Sequence, residues 1–180
     1  MDELAAISER WLADHNVREK RFSLGAFRPD YIAAQPVAVI RHDGRIVAFA
    51  SLLLTNEKQE ASIDLMRFAD APASTMEILI LRLILHFQAE GYKWFSLGMA
   101  PLSGLPESGV AGPLWYQVGR SVFDHGEKFY NFSGLRAFKS KFAPEWRPRY
   151  LAISGGADPI LTLADIAVLI SGGLKGMIGR

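Results

Sequence analysis

The stretch "PVAVIRHDGRIVAFASLLL", residues 36–54, decides the architecture. Two runs of aliphatic and β-branched residues flank "HDGR". Asp43-Gly44 between them suits a two-residue hairpin turn, because such turns need positive φ at both central positions. Downstream, "ASIDLMRF" (61–68) reads as a third strand beside this pair. Simple alternation puts Ile63, Leu65 and Arg67 on one face and Asp64, Met66 and Phe68 on the other. "DAPAST" (70–75) then breaks the chain. Ser74 or Thr75 is expected to cap the following helix, with Glu77 in its first turn.

That helix, "MEILILRLILHF" (76–87), should stop near Gly91. "YKWFSLGMA" (92–100) reads as a fourth, largely buried strand, and "PLSGLPESGVAGP" (101–113) as a loop. A helix over "LWYQVGRSVFDHG" (114–126) and a short one over "SGLRAFKSKF" (133–142), capped by Ser133, come next. "PRYLAIS" (148–154) reads as a last strand. "DPILTLADIAVLISGG" (158–173) is a helix with Pro159 in its first turn, and "LKGMIGR" (174–180) a tail. Upstream, Leu4, Ile7, Trp11 and Leu12 recur at helical spacing over residues 3–14. A meander followed by a β-α-β crossover implies an α+β fold. Its sheet is mixed and mostly antiparallel, with helices on both faces. This is the element order of the GNAT-like acyltransferase fold, here a single domain over 1–180 with 158–180 as C-terminal helix and tail.

Composition bounds the chemistry. The chain has 180 residues, 49% hydrophobic and 22% charged, which suits a globular core. Its net charge of +1 gives no global case for a polyanionic partner, so any such case rests on local clustering. With no cysteine, disulfides, thiolate nucleophiles and cysteine-ligated metals are excluded. The charged, amphipathic start lacks the apolar core of a signal peptide. No apolar run reaches the roughly 18 residues of a membrane span. His15, His42, His86 and His125 are scattered without metal-ligand spacing, and His86 on the apolar helix reads as a core histidine.

In GNAT acetyltransferases the loop before the helix that follows the central strand carries a glycine-rich motif. Its backbone amides hold the pyrophosphate of acetyl-CoA. Here that loop reads "MRFADAPASTMEI" (66–78), with no glycine and with Asp70. An acidic, glycine-free loop is a poor pyrophosphate cradle, so no CoA is expected. In "DLMR", Asp64 and Arg67 face opposite sides unless a bulge intervenes, as often happens in central strands of this fold. As a functional pair, Asp64 would bind an amine and Arg67 a phosphate or a carbonyl; the bland reading is a surface charge pair. "HGEKFYNF" (125–132) offers Glu127, His125 or Tyr130 as a general acid or base. Between Arg136 and Arg149 stand Arg136, Lys139, Lys141, Arg147 and Arg149 against one acid, Glu145. Phe138, Phe142 and Trp146 are threaded among them. Such a segment is either a solvated face or a meeting place for phosphates, of a lipid head group or of tRNA.

"FSLGAFRPDYI" (22–32), the hairpin, "ASIDLMRF", "YKWFSLGMAPLSGL" (92–105), "FYNFSGLRAFKSKFAPEWRPRYLA" (129–152) and "LADIAVLISGG" (163–173) occur together. In this combination the chain resembles the C-terminal catalytic region of bacterial phosphatidylglycerol lysyltransferases, the multiple peptide resistance factor type of lipid aminoacylating enzyme. The resemblance spans about residue 3 to about 173 and implies transfer of lysine, or alanine, from aminoacyl-tRNA to the glycerol hydroxyl of phosphatidylglycerol. The product is a cationic lipid that lowers membrane negative charge and protects against cationic antimicrobial peptides. It further implies that the chain is the second GNAT-like half of a larger membrane protein, acting at the cytoplasmic face of the cell membrane. An upstream GNAT-like half and a transmembrane region would then be its partners. On this footing Asp64, Arg67, Glu127, Tyr130 and Lys139 are the expected catalytic residues. Ser103, Asn131, Arg136, Lys141, Arg147 and Arg149 are the expected substrate contacts, and no metal or cofactor is expected. The rival readings are a CoA-dependent N-acetyltransferase and a non-catalytic half that binds tRNA or lipid.

Overall fold

The hairpin is present as β1 (Val37–His42) and β2 (Arg45–Leu54), paired antiparallel with His42 opposite Arg45. Asp43 at φ 48° and Gly44 at φ 79° give the two positive values that such a turn demands. The computed structural model describes residues 1–15, 18–19, 25–101, 103, 132–156, 158–171 and 173. β3 (Glu60–Phe68) runs antiparallel to β2, and β4 (Trp94–Ser96) runs parallel to β3, giving the order β1-β2-β3-β4.

A bulge in β3 changes the expected faces. Pairing passes from Ala50 opposite Met66 to Leu52 opposite Ile63, so Asp64 and Leu65 together stand opposite Ser51. Ile63 therefore shares a face with Met66 and Phe68, not with Leu65. These three pack toward Leu79, Leu83 and Phe87 of α3 (Thr75–Ala89). On the opposite face Phe49, Leu65 and Ala69 pack with Leu4 and Ile7 of α1 (Asp2–Asp14) and Ile32 of α2 (Pro29–Ala33). The sheet thus carries helices on both faces, as the GNAT-like arrangement requires. The short α2 is absent from the sequence expectation, since five residues are too few to show periodicity; Pro29 at its start is the only local mark.

Ser74 occupies the position before α3 but in the left-handed region, φ 65°, with no side-chain capping bond. Thr75 Oγ1 instead donates to the carbonyl of Pro72 at 2.7 Å. At the far end the amides of Gly91 and Tyr92 donate to the carbonyls of Gln88 and Phe87 at 3.0 and 2.9 Å. Gly91 at φ 84° makes this crossed closure possible, and the helix stops where the glycine foretold.

Three expectations are corrected. The fourth strand is three residues long and no more than half-buried, because it meets β3 only over Glu60, Ala61 and Ser62. Residues 148–154 form no strand: they are exposed, Tyr150 to 88%, and have no strand beside them among the described residues. β-Propensity expresses itself only where a neighbour is there to pack. Ser133 lies inside α4 (Phe132–Ser140) rather than capping it. α5 (Pro159–Ser171) begins at its proline as expected, and the Asp158 carboxylate accepts the amide of Leu161 at 3.1 Å. The helix expected over 114–126 and the tail over 174–180 lie outside the described residues. Among the described residues no helix is long and apolar enough to cross a membrane. The chain divides into two compact units, Met1–Gly98 with Ile166–Arg180, and Met99–Asp165.

Candidate functional site

In the first unit the bulge brings Asp64 and Arg67 to the face that carries α1 and α2. The Asp64 carboxylate is half-buried. Its Oδ2 accepts the Tyr31 hydroxyl at 2.9 Å and the Ser51 hydroxyl at 3.4 Å. Ser51 is fully buried, and its Oγ also accepts the amide of Leu65 at 3.1 Å, so it ties the bulge to the neighbouring strand. A Cβ at Gly25 would stand 2.6 Å from both Asp64 oxygens, so the backbone lies directly against the carboxylate. Burial first, and the nearby Asp64, raise the pKa of Tyr31 above the ordinary phenol value, while a hydrogen bond from Gln35 opposes this. The Tyr31 hydroxyl therefore stays a donor across the physiological range. Gln35 Oε1 is buried without a partner among the described residues.

Arg67 is 4% exposed and its guanidinium is engaged by protein groups. It donates to the Ser8 hydroxyl at 3.0 Å, to the Ser8 carbonyl at 3.3 Å and to Glu19 at 2.6 Å. It also sits 4.9 Å from the ring centroid of Trp11. Burial lowers its pKa, and Glu19 opposes that shift. These contacts make Arg67 the clamp that fastens α1 and residue 19 to the sheet.

In the second unit Lys139 and Arg136 lie one helical turn apart on α4. Lys139 is 9% exposed, and its Nζ donates to the Met99 carbonyl at 2.9 Å. Burial lowers its pKa to about 8, so the amine is mostly cationic at pH 7 and mostly neutral above pH 9. Arg136 donates to Ser103 Oγ at 3.0 Å and sits 4.2 Å from the Trp146 ring centroid. The expected contacts Ser103 and Arg136 are thus joined. Lys141 lies over the Phe138 ring at 5.4 Å, and Arg147 donates to Glu145 at 2.8 Å. Arg149 is exposed beside them in sequence. Glu127, Tyr130 and Asn131, and with them His125, lie outside the described residues.

The loop before α3 carries Asp70 at φ 50°, exposed and paired with Arg10 at 2.9 Å. His15 stacks on Trp11 at 4.3 Å and hydrogen-bonds its carbonyl, a structural role at the end of α1. His86 is exposed rather than core: it falls on the outer side of α3, one residue from the buried Phe87. Among the described residues no His, Asp or Glu group could hold a metal ion. Tyr31, Ser51, Gly25, Gln35, Ser8 and Glu19 all bear on Asp64 or Arg67 and were missed in the sequence. They come from separate segments, and no spacing rule links them.

The family model for the C-terminal region of phosphatidylglycerol lysyltransferase matches residues 1–153. A phosphatidylglycerol lysyltransferase of Bacillus subtilis is 38% identical over 173 residues, covering 94% of this chain and 20% of that protein. One from Staphylococcus aureus is 35% identical over 158 residues, covering 84% of this chain and 18% of that protein. Among solved structures, the C-terminal domain of an Agrobacterium fabrum protein named for lysylphosphatidylglycerol synthetase is 56% identical, with a TM-score of 0.79 over 98% of this chain and 52% of that one. L-PGS from Bacillus licheniformis is 37% identical, with a TM-score of 0.73 over 94% of this chain and 50% of that one. The chain spans about a fifth of the length of these curated relatives and about half of the solved chains.

Proposed function

The chain belongs to the phosphatidylglycerol lysyltransferase C-terminal family, and from that premise we propose that it is part of an enzyme transferring a lysyl group from aminoacyl-tRNA to the glycerol hydroxyl of phosphatidylglycerol. The observation that carries this reading is the match at 38% identity across 94% of the chain. The transfer replaces one ester by another, so it is nearly thermoneutral. What the protein must supply is positioning and proton transfer.

Both substrates in this reading carry phosphates. Arg136, Lys141, Arg147 and Arg149 supply cations along one segment, with Trp146 and Phe138 stacked against two of them. Lys139, held against the Met99 carbonyl, receives a phosphate or the developing oxyanion in its protonated form. Tyr130 serves as proton donor to the departing tRNA hydroxyl, and Glu127 as the base for the attacking hydroxyl. Ser103 and Asn131 contact substrate. Because tRNA is a cytosolic molecule and the acceptor is a lipid, the reading puts the domain at the cytoplasmic membrane surface, within a longer protein that has an upstream half and a membrane region. The loop over 69–74 supports a donor other than CoA, since it has no glycine and presents a carboxylate where a pyrophosphate would need amides.

The test is lipid extraction and mass analysis from a host expressing this chain, alone and within its longer natural protein. Lysyl-phosphatidylglycerol is the expected product of the longer protein. Acetyl-CoA binding with no aminoacyl lipid in either case would overturn the reading in favour of an acetyltransferase.

A further inference from the structure

We infer that the outer face of α3 docks on an anionic lipid bilayer, with Ile78, Leu81 and Leu85 entering the acyl boundary and Arg82 meeting the lipid phosphates. The inference deepens the proposed function, on which it rests for the presence of a bilayer, by naming a surface that meets it.

Three observations carry it. The first is that α3 is apolar on both sides. Leu79, Ile80, Leu83 and Phe87 are buried on the side that meets the sheet. Ile78, Leu81 and Leu85 recur at helical spacing on the other side and are 50%, 51% and 49% exposed. Ala89 continues the same row. A helix whose outer side meets only water carries polar residues there, so this stripe calls for an apolar neighbour. The second is charge. Arg82 lies four residues after Ile78 and three before Leu85, so it borders both on the helix surface. Lys93 is exposed just past the end of α3, its amide bonded to the Lys58 carbonyl at 3.0 Å. Among the described residues neither Arg82 nor Lys93 pairs with an acid. Glu77 and Glu90 stand near the two ends of the helix, and Lys58 answers Glu90 at 3.7 Å. Large aliphatic side chains beside an unpaired arginine are what a helix lying on an anionic membrane surface presents. The third is extent. A stripe one helix wide and three large side chains long falls short of the roughly 800 Å² per partner that a stable protein interface buries. A fluid bilayer needs no matching shape. With 15 residues, and with Glu77 and Arg82 among them, α3 lies along such a surface rather than crossing it.

The test uses the 180-residue chain and vesicles of phosphatidylcholine, alone or mixed with phosphatidylglycerol or with phosphatidylserine. Phosphatidylserine is anionic but is not the acceptor in the proposed function, so it separates surface docking from the reaction site. The chain has no cysteine, so Ala89→Cys on the stripe and Glu9→Cys on α1, across the sheet, each take a single environment-sensitive dye. Cosedimentation is expected with both anionic mixtures, with a blue shift of the dye at position 89 and none at position 9. Leu81→Ser combined with Leu85→Ser should weaken binding by about tenfold. Arg82→Glu should weaken it by about tenfold on the anionic vesicles and leave phosphatidylcholine vesicles unaffected. Thermal denaturation checks that each variant is folded. Absence of binding to the anionic vesicles overturns the inference. So does binding that both variants leave intact, and so does binding confined to phosphatidylglycerol. A blue shift at position 89 that needs no lipid and grows with protein concentration gives the face to a second copy and overturns it too. Within the longer natural protein, spin-labelled lipid is expected to quench the dye at position 89. A blue-shifted dye that escapes quenching puts the stripe against another part of that protein, and the inference fails. Docking through this face with no aminoacyl lipid formed by the longer protein would leave the surface standing and sink the proposed function. Lysyl-lipid formation by the longer protein, with no docking by this chain, would do the reverse.

Discussion

Arg67 and Asp64 stand three residues apart and do different work. Arg67 is buried among Ser8, Glu19 and Trp11, so its first effect is on stability. Arg67→Ala removes a guanidinium and strands Glu19, whose side chain is 29% exposed and can turn partly to water. The cost should fall at the low end for a buried ion pair, about 3 kcal/mol by urea unfolding. A loss under about 0.5 kcal/mol would mean the clamp holds nothing. Lys139 offers a pH signature. Its folded pKa is lowered to about 8 from 10.5, so between those values the unfolded chain binds the proton that the folded chain has shed. The penalty of burying the charged amine is therefore full below pH 8 and is relieved as pH rises to 10.5. Wild type should gain up to about 3 kcal/mol on Lys139→Met across that window. A stability difference that stays constant from pH 7 to 10.5 would show that the amine is not desolvated. If the cationic amine also serves transfer, activity should fall as pH rises through about 8.

At the scale of elements, the hairpin and the end of α3 were legible because each depends on a backbone conformation that few residues adopt. Gly44 at φ 79° has open space around its Cα, so Gly44→Ala would clash with nothing and meet only the left-handed penalty. The expected loss is about 1–2 kcal/mol in thermal or urea unfolding. An unchanged midpoint would show that the turn had relaxed to another type. The β3 bulge was foreseen only as a condition on Asp64 and Arg67. Its place between Ile63 and Met66 is set by Ser51, which fills the gap in the ladder and accepts the Leu65 amide, a partner 14 residues away in the chain. The strand expected over 148–154 failed for the opposite reason: its residues have strand-like character, but the described structure gives them no partner.

At the scale of the molecule, a net charge of +1 conceals a segment with five basic residues and one acid between Arg136 and Arg149. If tRNA binds there, affinity must depend on salt. Replacing Arg147 and Arg149 by alanine should weaken tRNA binding across sequences and flatten the log–log salt slope by roughly 0.7–0.9 for each phosphate that is no longer neutralised. A slope unchanged in the double variant would take those two residues out of the interface. The sequence by itself determined the succession of the hairpin, β3, α3 and β4, the mixed sheet, the family and the basic segment. These rest on local spacing, on backbone-restricted residues and on composition, all of which are written along the chain. Only the tertiary structure decided which side of the sheet Asp64 takes, that Arg67 is spent on α1, that Lys139 is a desolvated amine, and that Tyr31, Ser51 and Gly25 close on one carboxylate. Those outcomes depend on a one-residue register shift and on burial. Both arise when distant segments pack, and neither leaves a pattern in any window of the sequence.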